Sequence, residues 1–395
     1  MGTTADTTQP IMNTYGRFPI TVTKGKGSYV WDDKGTKYLD FTSGIATCNL
    51  GHVPEFVKNA LVNQLDQLWH VSNLYHIEPQ QKLAKQLTKV TSFDQVFFCN
   101  SGAEANEAAI KLVRAKANSE NKQPLIVTFK KSFHGRTLAT LTATGQEKIQ
   151  TGFSPLVEGF HYLPFNDEDA LEKLNEWQPT AVMLELVQGE GGVVPAHKTW
   201  IKKLVEICKK NNSLIVVDEV QTGIGRTGTL FAYQQYDLEP DIMTIAKGLG
   251  SGFPIGAMLA KEHVSYLFGP GSHGSTFGGN PLATTAGLST IQYILNNELL
   301  TTISDRSKQL TLLLQKIASQ YDFIEEVRGK GLLIGLKLNR EIASTVVLES
   351  IKNELLILTA GPDVIRLLPP LTVSEEEILL FVEKFEKALK AAKEC

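Results

Sequence analysis

Leu214-Ile215-Val216-Val217-Asp218-Glu219-Val220-Gln221 is a short apolar run closed by an acidic pair, the signature of a buried strand ending in carboxylates. Working outward, Lys198–Asn211 upstream has helical period, and Ala181–Leu186 before it is another short apolar run. Downstream, Asp241-Ile242-Met243-Thr244-Ile245-Ala246-Lys247 repeats the strand form and ends on a lysine. Gln95–Cys99 and Leu125–Phe129 are further strand candidates, with a helix expected over Glu104–Ala117 between them. Such alternation predicts an α/β fold whose central sheet is mainly parallel and covered by helices on both faces.

The two chain ends read differently. Residues 28–41 predict two short strands joined by a turn at Asp33-Lys34-Gly35. After residue 295 come a helix (Asp305–Tyr321), strands at Phe323–Val327 and Gly331–Leu338, a further helix, and a strand at Val364–Leu368. Ser374-Glu375-Glu376-Glu377 has capping-box spacing and opens a last helix, with Ile378, Leu379, Val382, Phe385 and Leu389 expected on one face. The expected organisation is a large domain over 51–295 and a small α+β domain assembled from 1–50 and 296–395.

Composition narrows the function. The chain has 395 residues, 42% of them apolar, enough to bury a large core. Its net charge of -3, from 39 basic and 42 acidic residues without clustering, argues against a nucleic-acid binder. Cys48, Cys99, Cys208 and Cys395 form no CxxC pair, so neither a zinc site nor a disulfide framework is expected. No stretch approaches the roughly 18 uninterrupted apolar residues of a membrane helix. The opening MGTTADTTQPIMNTYGRFP lacks an apolar core behind a basic start, and Asp6 breaks the myristoylation pattern. A soluble protein of the reducing cytoplasm is expected.

Four features carry chemistry. Asn100-Ser101-Gly102-Ala103-Glu104 opens a helix with small residues, whose N–H groups could take a phosphate, although a capping box alone marks any ordinary helix start. Asp218 at the carboxyl end of its strand could pair with a protonated ring nitrogen, or equally cap a helix or ligate a metal. Lys247, ending an apolar strand before Gly248-Leu249-Gly250-Ser251-Gly252, is expected to be desolvated and nucleophilic. That glycine run is no Walker A loop, since no Gly-Lys-Ser/Thr follows it. The fourth feature is a set of polar residues in glycine-bordered loops: Phe133-His134-Gly135-Arg136, Gln188-Gly189-Glu190-Gly191-Gly192, Ser275-Thr276, and Arg366.

In order, SGAEANEAAIK (101–111), FHGRT (133–137), QGEGG (188–192), VDEVQTGIGRTG (217–228), AKGLGSGFPIGA (246–257) and HGSTFGGNPLA (273–283) closely resemble the class III pyridoxal-phosphate aminotransferases. Within that class the acetylornithine and ornithine branches are most similar, with Phe277 and GRTGTLFAYQQY resembling the former. The resemblance implies fold type I and pyridoxal 5'-phosphate as cofactor, with no metal. It implies that Lys247 carries the cofactor covalently and later shuttles a proton, and that Asp218 holds the pyridinium nitrogen. Gln221 would bond the ring's phenolic oxygen, with Phe133 and Val220 against the two ring faces. Gly102 and Ala103 would take the phosphate, joined by Thr276 from a second subunit, which implies a homodimer with composite sites.

For substrate, the resemblance assigns Arg136 and Arg366 to carboxylates, Glu190 to neutralising Arg366 when the substrate does not, and Ser275 to a further contact. That implies an ω-amine donor (acetylornithine first, ornithine as its nearest rival; succinylornithine, 4-aminobutyrate and N-acetyl-diaminopimelate-type substrates are alternatives) and 2-oxoglutarate as acceptor, with glutamate as product. An aminomutase on the same scaffold, or a non-catalytic nucleotide-binding α/β protein, are the readings from other classes. Asn49-Leu50-Gly51-His52-Val53-Pro54 departs from the family's Gly-His-x-His/Pro pattern, so His52 receives no role. His134 reads as a loop-structuring residue and Arg226 as part of a turn. Tyr15 and Arg17 either border the pocket or belong to a tail.

Overall fold

The computed structural model describes residues 10–393, so the opening tail and Cys395 lie outside the described residues. Its largest sheet has seven strands in the order Gln95–Cys99, Gly256–Ala260, Ile242–Ile245, Leu214–Asp218, Ala181–Leu184, Ile126–Phe129 and Phe160–Leu163. Gly256–Ala260 runs antiparallel to both of its neighbours, and the other pairings are parallel. The sheet is therefore mainly parallel, as the strand–helix alternation predicts.

Side chains alternate across it. Ile215, Val217, Val182, Leu184, Met243 and Ile245 enter one core together with Trp200 of the helix Lys198–Asn211. Leu214, Val216, Ala181, Met183 and Ile242 enter the other, against Ala108, Ala109, Leu112 and Val113 of the helix Gly102–Ser119. Because both faces are buried, the strands are continuously apolar, and period-2 alternation of polarity is absent from them.

The chain ends meet in a second sheet. Val22–Lys26, Tyr29–Asp32 and Lys37–Asp40 form a meander, and Leu355–Leu356 adds to it in parallel beside Leu39–Asp40. Ile324–Lys330, Leu333–Leu338, Val364–Leu367 and Leu358–Thr359 make a third, antiparallel sheet. The last helix, Glu375–Lys393, starts as its sequence predicts: Glu377 N–H donates to Ser374 Oγ at 3.2 Å, and Ser374 N–H to Glu377 Oε2 at 3.0 Å. Its buried face is set by Ile378, Phe381, Phe385 and Leu389, whereas Leu379 is exposed, contrary to expectation. Phe381 stacks on Phe41 of the N-terminal segment with ring centroids 4.4 Å apart, and that contact fixes the helix's rotation.

Arg226 is no mere turn residue. It is fully buried, donating from Nη1 to Leu332 O (3.1 Å) and Pro369 O (2.6 Å) and from Nη2 to Asn49 Oδ1 (2.8 Å). One side chain thus ties the strand-end loop after Asp218 to segments from both chain ends. Burial lowers its guanidinium to about 9, so the charge itself is a cost and the hydrogen bonds offset it. Arg226→Ala is expected to destabilise the fold by about 3–5 kcal/mol, from the orphaned acceptors and the cavity left behind. Chemical denaturation of the full chain reads this directly, and a loss within about 0.5 kcal/mol, the range of an ordinary surface substitution, would refute the tie.

Candidate active site

A cavity of about 430 Å³ opens at the carboxyl ends of the parallel strands. Several of the strands deliver a functional group to its wall. Leu214–Asp218 ends on Asp218, and its register places Asp218 beside Thr244 of the next strand, which leads on to Lys247. Lys247 itself has a left-handed φ of 40° and starts a short 3-10 turn through Gly250, which directs the backbone around the cavity floor. Gln95–Cys99 leads through Asn100 and Ser101 into the helix Gly102–Ser119, whose first N–H groups have no intrahelical acceptor. Ser101 Oγ accepts from Glu104 N–H at 3.2 Å, while Glu104 reaches back to Asn100 N–H at 2.6 Å. Glycine is required at the helix start because a Cβ on Gly102 would stand 2.7 Å from Val220 Cγ1.

Asp218 is held from three sides. Its Oδ2 accepts from Asn106 Nδ2 and lies against His134 Nδ1, both at 2.8 Å, and its Oδ1 accepts from Val220 N–H at 3.0 Å. Asn106 is itself fixed, donating also to His134 O at 2.7 Å and accepting from Thr244 Oγ1 at 2.6 Å. A carboxylate so supplied with donors is held in one orientation. His134 does structure its loop, its N–H donating to Thr144 Oγ1, and in addition it orients Asp218.

The opposite wall carries an ion pair. Arg366, 3% exposed on the strand Val364–Leu367, donates from Nη1 to Glu190 Oε1 at 2.5 Å. Burial alone would raise the Glu190 carboxyl, but Arg366 outweighs it and holds the group below the ordinary carboxylate value. Lys247 is pushed down, first by burial and then by Arg366, against the opposing pull of Glu190 and Asp218. Arg136 stands at the rim with its guanidinium 5.6 Å from the Phe133 ring centroid.

The structure therefore brings Lys247, Asp218, Gly102, Ala103 and Phe133 to one cavity, and adds Val220, Gln221, Arg136 and Glu190 to its wall. Arg366 stands behind Glu190. Ser275 and Thr276 are not on this wall: Ser275 Oγ accepts from Gly278 N–H at 3.0 Å and from Nδ2 of the cavity-lining Asn100 at 3.2 Å, and Thr276 is exposed. Tyr15 and Arg17 are exposed and line no part of the cavity. His52, given no role above, bonds Asp40 Oδ2 through Nε2 at 2.7 Å, and that carboxylate raises it to about 10. Asn106 and Glu185 went unnoticed in the sequence. The available signals were a polar residue on an alanine-rich buried helix face and a carboxylate inside an apolar run. No cluster of metal ligands occurs among the described residues.

Comparison with known proteins agrees with this geometry. The family model for class-III aminotransferases matches residues 11–389. The chain is 53% identical to an acetylornithine aminotransferase of Oceanobacillus iheyensis, with 98% of this chain and 97% of that protein covered. It is 49% identical to the Bacillus subtilis acetylornithine aminotransferase, with 96% and 97% covered. Among solved structures, an N-acetylornithine aminotransferase of Stenotrophomonas maltophilia superposes with a TM-score of 0.85 at 39% identity, covering 95% of this chain and 97% of that one. An ornithine aminotransferase of Toxoplasma gondii superposes with a TM-score of 0.93 at 29% identity, covering 98% and 93%.

Proposed function

Given that this chain belongs to the class-III aminotransferase family, we propose that it moves the terminal amino group of N2-acetyl-L-ornithine to 2-oxoglutarate, giving N-acetyl-L-glutamate 5-semialdehyde and L-glutamate, a step of arginine biosynthesis. The residues suit pyridoxal 5'-phosphate: a helix start with small residues for its phosphate, and an oriented carboxylate for its ring nitrogen. When bound, that group supplies an aldehyde for the amino group and an electron-withdrawing ring.

This chain's residues do the rest. Lys247, its amine lowered by burial, would be the nucleophile that anchors the cofactor and would then move the proton at the donor's amine-bearing carbon. Asp218 would hold the ring nitrogen, and Asn106 and His134 keep Asp218 in place. Gln221 would take the phenolic oxygen, and Phe133 and Val220 would keep water from the ring. Thr276, exposed on its own chain, serves the cavity of a second copy. The exposed Trp69, Leu74 and Phe277 beside that loop support a homodimer, since a monomer seldom leaves such a surface uncovered. No helix among the described residues is long and apolar enough to cross a membrane. We place the enzyme in the cytoplasm.

The observation that carries the substrate is the Arg366–Glu190 pair at a cavity that Arg136 also lines. Acetylornithine presents one carboxylate, for Arg136, and leaves Arg366 to Glu190. Glutamate presents two, and the second displaces Glu190 from Arg366. Ser275 is a lesser candidate contact. The likeness to an ornithine aminotransferase favours free ornithine as the second reading. Coupled assays should give kcat/KM at least about ten-fold higher for acetylornithine, a difference of about 1.4 kcal/mol, with strict dependence on 2-oxoglutarate. The reverse preference would replace the first reading by the second.

A further inference from the structure

Three carboxylates stand at the cavity wall, and Glu185 is the one without a step in the reaction above. It follows directly on the strand Ala181–Leu184 and is buried. Its two oxygens are divided between two loops. Oε1 accepts the N–H of Phe133 at 2.9 Å, and Oε2 accepts the N–H of Gly189 at 3.3 Å. The first loop continues through His134 and Gly135 to Arg136. The second continues at once into Glu190.

A side chain on Gly189 would displace Gln221, because a Cβ there would fall 1.8 Å from Gln221 Oε1. The backbone N–H is the handle that remains. We propose that Glu185 is a positioning residue that ties the Arg136 loop to the Glu190 loop, so that the two substrate-carboxylate contacts keep a fixed separation. The consequence for turnover rests on the substrate roles given above for Arg136 and Glu190; the tie itself does not.

The tie depends on charge. A carboxylate can accept on both oxygens, whereas a protonated carboxyl turns one of them into an O–H facing an N–H donor. Burial, with Asp218 adding to it, pushes Glu185 up to about 7, against the opposing effects of His134 and the two N–H groups. Lys247 also faces it, and the Glu190–Arg366 pair stands in the same wall. Because the value is raised, ionisation costs global stability: the contribution is full below the ordinary carboxylate value and is lost as pH rises through about 7. Local order of the two loops runs the other way, forming as the proton leaves.

Hydrogen exchange on the full chain stripped of cofactor tests this without any turnover. Protection of the Phe133 and Gly189 amides, corrected for intrinsic exchange, should rise about ten-fold between about pH 6 and pH 8, a change expected when a bond to a charged acceptor forms. In Glu185→Gln it should stay low and flat, with thermal stability at the higher pH equal to or above wild type. In the loaded Glu185→Gln enzyme, KM for both the ω-amine donor and glutamate should rise roughly ten-fold while kcat changes less than about three-fold, as for lost uniform binding. Wild-type amide protection that ignores pH would overturn the tie. A fall in kcat at unchanged KM would overturn it too, marking Glu185 as a group acting on the reacting atoms. If the protein does not turn over acetylornithine at all, the exchange result still stands or falls alone.

Discussion

Lys247→Ala protein is expected to fold, to bind cofactor weakly and reversibly, and to lose transamination by about four orders of magnitude or more. Two separate jobs disappear with the one amine. The covalent anchor is gone, and so is the base that moves the proton at the donor's reacting carbon. The other titratable groups named at the wall are already engaged, Glu185 with the N–H groups of Phe133 and Gly189. Asp218 is engaged with Asn106, His134 and Val220, and Glu190 with Arg366. His134 uses Nδ1 on Asp218.

The position also favours the nucleophilic form of this lysine. Burial first, and Arg366 second, hold its amine below the ordinary value, so the neutral form is accessible. Borohydride reduction of the wild-type enzyme, followed by peptide mapping, should find the cofactor on Lys247 and on no other lysine. A Lys247→Ala enzyme that still transaminates at more than about a hundredth of the wild-type rate would end the assignment, since that residue loss is too small for a covalent base.

How much of this was legible in the sequence follows from which interactions are local. Leu214–Asp218 and Lys198–Asn211 could be read from period and length alone, and the Ser374–Glu377 cap from spacing, because each is decided within a few residues. Gly256–Ala260 was not anticipated: its glycine and alanines carry little β-propensity, and it is a strand because two neighbours pair with it. Phe381 and Leu379 lie two positions apart, and only the stacking on Phe41 decides which one turns inward.

The site divides the same way. Lys247 and Asp218 stand at strand ends, where one-dimensional reasoning can find them. Asn106 matters because the fold brings it to both Asp218 and Thr244, and Glu185 because two loops meet on its oxygens. Arg226 sits in a turn as its glycine neighbours predict, but its buried contacts, like that of His52, are made by residues distant in the sequence. A glycine-flanked arginine reads as a turn until Leu332, Pro369 and Asn49 surround it, and a histidine gains a role only when Asp40 faces it.

Glu190→Gln should separate the two half-reactions. In the acetylornithine half, Arg366 has no substrate carboxylate and depends on Glu190. Breaking a fully buried pair costs about 3–5 kcal/mol, and partial exposure of Glu190 reduces this to about 2 kcal/mol, or roughly thirty-fold in kcat/KM. In the glutamate half, the substrate's own carboxylate takes Arg366, and the variant removes a competitor. That half should keep its rate, or gain slightly through a lower KM. The effect should also be flat between about pH 6 and pH 9, because Arg366 holds Glu190 below the ordinary carboxylate value and the pair is lost only on acidification through that lowered value. Single-turnover stopped-flow kinetics on each half-reaction reads the ratio. Equal loss in both halves would show that Glu190 supports the site as a whole, and the selection between one-carboxylate and two-carboxylate substrates would then have to lie elsewhere in the cavity.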